Sequence, residues 1–348
     1  MEWKQVREGN ALVNVPEAKI VSKEMPVFYN PVMALNRSLA IMLLKARGRR
    51  GLQIADPLAG SGIRALRFLK ELPAGTIKNL FVNDANPRFP ALFRKALKQN
   101  NILPSRVIVG NTDASVFLLQ HAGFDYIDID PFGSPNPFLD AACKRIARNG
   151  ILALTATDTA ALTGTYPAAC KRKYDSAPLR NELMHEIGIR ILVRKAQLIG
   201  AQYEKALRPI LCYATAHYYR VYFLCEKSKK DVDAVLSQHG MFETAGPLWQ
   251  GRLWDATLVR KMLRQADSEE QKLLSLIAQE AAIPTIGFFD IHKECKRLHI
   301  SAPKTENVMR RIRTQGYPVA QTHFSPTGVR TTIPRKEFVR LLRKKLIF

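Results

Sequence analysis

The sequence predicts an α/β protein: a doubly wound parallel sheet followed by a second, smaller, mostly helical domain. Three observations carry this reading. From Leu52 to Thr157, short apolar runs alternate with amphipathic stretches. Two β-rich runs then stand almost side by side, and beyond a Gly-, Pro- and Trp-containing stretch at 245–251 the periodicity becomes mostly helical. Strand–helix alternation of the first kind means βαβ units and a parallel sheet.

Taken in order, the spacing predicts a strand over 52–56 and a helix over 63–72, then a strand over 77–84 and a helix over 87–100. Further strands are expected over 107–109, 124–130 and 151–157, with helices at 114–121 and 138–148 between them. A longer helix is expected over 179–199, then strands over 210–216 and 218–225, whose short link makes them an antiparallel hairpin at the sheet edge. After the break, helices are expected over 256–266, 270–281, 288–298 and 304–314. Runs over 318–324 and 329–333 flank a Pro- and Gly-containing turn at 325–328. Helices followed by a two-stranded ribbon suggest a winged helix, so the expected division is 1–252 and 253–348.

Composition narrows the function classes. At 348 residues and 47% hydrophobic, the chain can bury a real core in each part. No apolar run approaches the roughly 18 residues that cross a bilayer, and residues 1–10 lack the apolar stretch of a secretory signal. A soluble intracellular protein is expected, with no membrane partner. The five cysteines (Cys143, Cys170, Cys212, Cys225, Cys295) are scattered and form no C-x-x-C pair, which argues against a disulfide framework and a structural zinc site. Lys and Arg number 53 against 30 acidic residues, a net +23. Such an excess favours a polyanionic partner, nucleic acid foremost. Residues 290–348 carry 14 Lys/Arg against 4 Asp/Glu, so the charge is partly concentrated there rather than spread as solubilising lysines.

Open parallel sheets bind ligands at the carboxyl ends of their strands. The first strand runs into Asp56-Pro-Leu-Ala-Gly60-Ser-Gly62, where glycine permits close backbone approach and a helix N-terminus offers N–H donors. Gly60-x-Gly62-x-x-Ala65 with Asp84 also fits a dinucleotide fingerprint, which keeps a nicotinamide-dependent oxidoreductase as a rival. Asp84 at the second strand end can accept both ribose hydroxyls of an adenosine. Asp113, before Ala114 at the third, can accept from an adenine amine or simply cap a helix.

The fourth strand, Tyr126-Ile-Asp128-Ile-Asp130, leads into Pro131-Phe132-Gly133-Ser134-Pro135. Asp-Pro-Phe-Gly is close to the Asp/Asn-Pro-Pro-aromatic motif of amino-group methyltransferases. An exocyclic guanine amine is conjugated with its ring and is a poor nucleophile. The Asp130 carboxylate and Pro131 carbonyl accept its two hydrogens and draw the nitrogen toward sp3 geometry. Phe132 supplies a stacking face for a splayed-out base. Phe28, among prolines before the sheet, and Arg37, on an amphipathic stretch at 34–46, read on their own as a packing aromatic and a solvated charge.

Together, Asn30-Pro-Val-Met with Leu35-Asn36-Arg37, Gly62-Ile63-Arg64-Ala65-Leu66-Arg67, Asp128-Ile-Asp130-Pro-Phe-Gly-Ser-Pro135 and Thr155-Ala-Thr-Asp158 resemble the tRNA guanine-N2 dimethyltransferases. So do Gly164 with Cys170-x-Arg172-Lys173-Tyr174, Leu179-Arg180-x-Glu182 with His185-Glu186, and Thr322-His323-Phe324-Ser325-Pro326-Thr327-Gly328. The resemblance covers nearly the whole chain. It implies a Rossmann-like class I methyltransferase sheet, S-adenosyl-L-methionine as cofactor, tRNA as partner and a cytoplasmic location. The implied reaction transfers one or two methyl groups to the exocyclic N2 of guanosine 26. By motif, Arg37, Asp56, Gly60, Arg64, Asp84, Asp113 and Ala114 would contact the cofactor, Arg37 through the methionyl carboxylate. Asp130, with Pro131, would be catalytic, and Phe28 and Phe132 would sandwich the base. Some relatives carry a zinc-binding Cys cluster that this sequence lacks, so no metal is expected. The other rivals are an amino-methyltransferase acting on another RNA or DNA and a non-catalytic RNA-binding protein.

Overall fold

The computed structural model describes residues 2–17, 27–215 and 217–343. Met25 and Pro26 of the aromatic–proline stretch, Ala216 at the end of the expected 210–216 strand, and 344–348 of the expected second domain lie outside the described residues. The chain divides into two compact units, Met1–Thr159 with Val193–His239, and Ala160–Leu192 with Gly240–Phe348. The division therefore does not follow one cut near residue 252. Residues 160–192 belong with the C-terminal part, because Glu186 and Arg190 are bonded there.

The first unit opens with a hairpin, β1 (Trp3–Glu8) and β2 (Ala11–Pro16), turning at Gly9-Asn10. A sequence reading that takes 1–10 only as a polar N-terminus passes over it, although Gly-Asn between alternating runs is a hairpin signal. Then follow α1 (Ala34–Arg47), β3 (Leu52–Asp56), α2 (Ile63–Glu71), β4 (Ile77–Asn83), α3 (Phe89–Gln99), β5 (Val107–Gly110), α4 (Ala114–Gln120), β6 (Phe124–Ile129), α5 (Leu139–Arg145) and β7 (Ile146–Ala156). After α6 (Thr159–Leu162), α7 (Pro167–Tyr174) and α8 (Met184–Ala201), the sheet closes with β8 (Lys205–Thr215) and β9 (Tyr218–Lys227), followed by α9 (Lys229–Leu236).

The seven-stranded sheet has the order β5-β4-β3-β6-β7-β9-β8. Strands β3 to β7 pair in parallel, while β9 runs antiparallel to both β7 and β8. The expected hairpin is present, with β8 at the edge and β9 inside. Continuous apolar strands need cover on both faces, and Ile54, Leu80, Ile127, Leu152 and Phe223 are fully buried with Leu39, Leu66 and Leu118 of the helices. The strand order reverses between β3 and its neighbours β4 and β6, the place where such sheets bind ligands.

The second unit holds a hairpin, β10 (His239–Phe242) and β11 (Ala245–Trp249), whose second strand lies in the stretch at 245–251 that reads from sequence as a break without periodicity. Helices α10 (Ala256–Leu263) and α11 (Ser268–Glu280) precede β12 (Phe289–Asp290), α12 (Ile291–Arg297), α13 (Thr305–Thr314), β13 (Val319–Thr322), β14 (Ser325–Thr331) and α14 (Arg335–Arg343). The order helix–strand–helix–helix–strand–strand, with a sheet β12-β14-β13, is that of a winged helix. Its core joins Ile291, Val308, Ile312, Val329, Phe338 and Leu341. Two details differ from the sequence reading. The expected 288–298 helix begins only at Ile291, because Asp290 pairs with Gly328 in the sheet and caps the helix through the Lys293 amide at 3.0 Å. The turn of the ribbon falls at His323-Phe324 rather than 325–328, since Glu280 accepts both the His323 amide and its ring nitrogen and turns the chain earlier.

Candidate functional site

The loop after β3 is built by close approach. Gly60 has φ +56°, and a Cβ there would lie 3.0 Å from the Phe28 carbonyl oxygen. Gly62, at φ +75°, would collide with the Phe93 ring at 2.3 Å. Both positions need glycine for space as well as conformation. The strand ends are laced together by Asn83, whose Nδ2 donates to the carbonyls of Pro57 (3.0 Å) and Thr112 (2.9 Å). Asp84 accepts from the amides of Gly60 (2.8 Å) and Asn86 (2.9 Å), which fixes its carboxylate at the edge of the cleft.

At the end of β6 the two-residue period of a strand puts Asp128 and Asp130 on one face. Arg64, from the first turn of α2, reaches both: Nη1 lies 3.1 Å from Asp128, and Nη2 donates to Asp130. Nη1 also donates to Asn36 Oδ1 at 3.0 Å. Behind them, Arg220 of β9 grips Asp128 with both terminal nitrogens (2.9 and 2.6 Å) and donates to Thr155 Oγ1 (2.8 Å). Tyr126 OH donates to Asp128 at 2.6 Å. Burial pushes the Asp128 carboxyl upward, but Arg220 and Arg64 outweigh it and hold the group below the usual aspartate range. For Arg64, burial works against the charge, while Asp128 and Asp130 raise its pKa above the ordinary value. The chain Arg220–Asp128–Arg64–Asp130 is buried until its last member, whose side chain is 17% exposed.

A second node sits at Glu8, the end of β1. Arg37 donates to it through Nε (2.6 Å) and Nη2 (2.5 Å), Arg67 through Nη1 (3.0 Å), and Tyr29 OH at 3.1 Å. Burial would raise the Glu8 pKa, yet the two guanidinium groups bring it below the ordinary value. Arg37 is thus committed on two nitrogens, with Nη2 also on the Asn30 carbonyl, and only Nη1 lacks a partner among the described residues.

These groups surround a cavity of about 830 Å3, within the roughly 300–1,000 Å3 range of ligand clefts. Phe28, Arg37, Asp56, Gly60, Arg64, Asp84, Asp130, Pro131 and Phe132 all line it, gathered from separate stretches of the chain. Asp113 and Ala114 do not. Asp113 is an exposed helix cap, accepting the amides of Ser115 (2.8 Å) and Val116 (3.1 Å), the ordinary role of aspartate at such a place. Asp56 is almost fully buried, and its Oδ2 has no hydrogen-bond partner among the described residues. Burial, followed by the opposing pull of Arg64 and the push of Asp128, Asp130 and Asp84, leaves its carboxyl pushed up to about 7. Phe28 and Phe132 touch edge to face, centroids 4.2 Å apart at 72°. In this arrangement they fill each other's space, and a base between them requires the rings to part.

Several contributors are given no role by the sequence, and of these Glu8, His217, Tyr218 and Arg220 lie outside every motif that carries the resemblance. Glu8, Asn36 and Arg220 act on the site through Arg37, Arg64 and Asp128, and Thr157, His217 and Tyr218 complete the wall. Arg220 is foreshadowed only as a charge inside an apolar strand, where an unpaired guanidinium would be too costly to bury.

A reversed-order open sheet with its cleft at the strand ends and Asp-Pro-Phe at the fourth defines a Rossmann-like methyltransferase. The chain matches the family model described as N2,N2-dimethylguanosine tRNA methyltransferase over residues 9–245 and 239–343, and it belongs to that family. It is 36% identical to the tRNA (guanine(26)-N(2)/guanine(27)-N(2))-dimethyltransferase of Aquifex aeolicus, over 97% of this chain and 95% of that protein. It is 35% identical to the tRNA (guanine(26)-N(2))-dimethyltransferase of Pyrococcus horikoshii, over 99% of each chain. Among solved structures it is similar to Trm1 from Pyrococcus horikoshii in complex with S-adenosyl-L-methionine, with TM-score 0.89 and 34% identity, covering 97% of this chain and 99% of that one.

Proposed function

We propose that this protein is an S-adenosylmethionine-dependent tRNA methyltransferase that places one or two methyl groups on the exocyclic N2 of guanosine 26. Methyl transfer to a tRNA guanine N2 follows from the family. The observation that carries the proposal is Asp130, held by Arg64 at the mouth of the cavity and followed there by Pro131 and Phe132.

The residues fit the cofactor. Asp84 can take ribose hydroxyls, the orphaned Asp56 Oδ2 can take a cationic group, and the open Nη1 of Arg37 can meet a carboxylate. When bound, S-adenosylmethionine supplies an electrophilic methyl group. Asp130 and the Pro131 carbonyl accept the two amino hydrogens of the guanine, which localises the nitrogen lone pair, and the Asp130 carboxylate holds the proton that leaves. Because Arg64 fixes one Asp130 oxygen, the amine meets a preset acceptor rather than a rotating one. Phe132, 54% exposed, offers a face to the base once Phe28 has moved aside.

The second unit adds tRNA affinity through its winged helix, where Arg310, Arg313, Lys336, Arg340 and Arg343 are exposed. Arg37, Gly60, Arg64 and Asp84 serve the cofactor side of the cleft. Asp113 and Ala114 join them only if the cofactor extends past the lining residues. No helix among the described residues is long and apolar enough to cross a membrane, which accords with a cytoplasmic enzyme. The test is methyl incorporation from labelled cofactor into an unmodified tRNA transcript, beside the same transcript with adenosine at position 26. Incorporation into the guanosine version alone is expected. Equal incorporation into both discards the position, and incorporation into another RNA instead discards tRNA.

A further inference from the structure

The first unit holds a second cavity, of about 320 Å3, against β2 and α3. It shares Gly60, Ser61 and Asn86 with the main cavity, so the two open side by side. One wall is Trp3, 46% exposed on β1. A large indole left half in water contributes little to the core, and its polar N–H suits a wet, aromatic contact. The amides of Asn14 and Gln99 also line it and bond each other reciprocally at 3.2 and 3.4 Å. Each keeps a second N–H and a second lone pair available.

The helix beside this cavity has an unusual charge. From Ala85 to Thr112 the sequence holds five Lys/Arg and no acidic residue. Arg88, Arg94, Lys95 and Lys98 are exposed, and none makes an ion pair among the described residues. Arg88 occupies the N-cap of α3, where the helix dipole disfavours a cation. Helix stability therefore accounts for Lys98, which lies in the last turn, but not for Arg88. Lys95 itself lines the cavity.

We propose that the cavity and the α3 face bind the tRNA strand next to the target guanosine. One neighbouring nucleobase stacks on Trp3 with its edge against Asn14 and Gln99, and backbone phosphates lie on Lys95, Arg94 and Lys98. This rests on the reading of the protein as a tRNA methyltransferase. An aromatic face, amide groups at its edge and unpaired cations along one side match a base and its flanking phosphates. The cavity adjoins the one lined by Asp130 at Gly60, Ser61 and Asn86, so a strand that delivers its guanine there can reach this place.

The test uses the full chain and three variants: Trp3→Ala, Trp3→Phe, and Lys95→Ala with Lys98→Ala. Affinity for an unmodified tRNA transcript is measured against salt, with cofactor affinity and thermal midpoint alongside. Trp3→Ala is expected to weaken tRNA binding about tenfold, the scale of losing one stacked base, and Trp3→Phe to restore most of it. The double lysine variant should lower the salt slope by about one unit for each phosphate it no longer neutralises. Cofactor affinity and midpoint should stay at wild-type values. Unchanged tRNA affinity in Trp3→Ala overturns the proposal, as does weakened cofactor binding, which would make the cavity part of the cofactor's site. A lowered midpoint with no rescue by Trp3→Phe overturns it too, as a packing effect. If the wild-type chain itself bound no tRNA, the functional reading would fail first and take this proposal with it. Normal wild-type binding with an indifferent Trp3 would remove the proposal alone.

Discussion

Each unit buries an ionic network, and the two differ in how they end. In the second unit, Arg330 lies fully buried between Glu186 (2.7 Å) and Glu280 (3.1 Å) and donates to the carbonyls of Thr285 (2.7 Å) and Gly287 (3.0 Å). Glu186 accepts further from Arg190 and the Gly287 amide, and Glu280 from Thr322 and His323. Every carboxylate there is enclosed. In the first unit, Arg220–Asp128–Arg64 is as buried, but the chain opens at Asp130 onto a cavity. A closed network specifies how helices and strands meet. An open one holds its last carboxylate still while leaving it a free oxygen for a ligand.

Breaking the closed network should produce the largest effect. Arg330→Met leaves two carboxylates buried without their common partner, a loss of about 3–5 kcal/mol in unfolding free energy, readable by urea denaturation. Burial would raise Glu186, but Arg330 and Arg190 outweigh it and hold it at about 2 against an ordinary 4.5. Its contribution is therefore present above pH 4.5 and is lost as pH falls from there toward 2. Wild-type stability should drop across that window, and Glu186→Gln should flatten the drop. A variant as stable as wild type would show that the network is not what holds this unit together.

At the open network the loss should appear in turnover. Asp130→Ala is expected to lower methyl transfer by about 10²–10³-fold, the scale of removing one preset acceptor in a transition state, with cofactor affinity nearly unchanged. Wild-type turnover in that variant would remove Asp130 from the chemistry. Asp128→Asn acts one step further back, by loosening Arg64. It should cost between about tenfold and 10² in kcat, the scale of a misplaced group. In an Asp130→Ala background the same change should cost almost nothing more, because its effect passes through Asp130. Additive losses would make Asp128 a stability residue only.

The contrast also marks what could be seen beforehand. The parallel sheet was legible because its strands are continuous apolar runs ending in Asp56, Asp84 and Asp130, and the order of those acids pointed to the cleft. The partners of those acids were not. Arg220 sits 92 residues from Asp128 in sequence, and a charge inside an apolar strand signals a partner without naming it. Glu8 hides in a polar hairpin and Arg330 in a β-ribbon, so both networks depend on pairings that only the fold creates. Asp113 shows what sequence leaves open: it stands at the third strand end and caps the helix that follows through one carboxylate oxygen. Phe28 and Phe132 met as expected in place but not in pose, since closed rings and rings around a base share one sequence.

The smallest predicted effect sharpens the difference inside the first unit, between a carboxylate held by arginines and one left alone. Asp128 is kept ionised by Arg220 and Arg64, whereas Asp56, buried with a partnerless oxygen, is pushed up to about 7. Before cofactor binds, Asp56 is neutral below that pH and an anion above it. A cationic cofactor group near Asp56 favours the anion, so binding lowers this pKa and releases a proton. Cofactor affinity should therefore strengthen several-fold as pH rises from about 6 to about 8 and level off above, by no more than the tenfold per pH unit that one proton allows. Asp56→Asn should bind more weakly at about pH 8 and show a flat profile. Calorimetry across this range, in buffers of different ionisation enthalpy, reads both the affinity and the released proton. A flat wild-type profile would place Asp56 away from the cationic end of the cofactor and leave it a buried acid of the sheet.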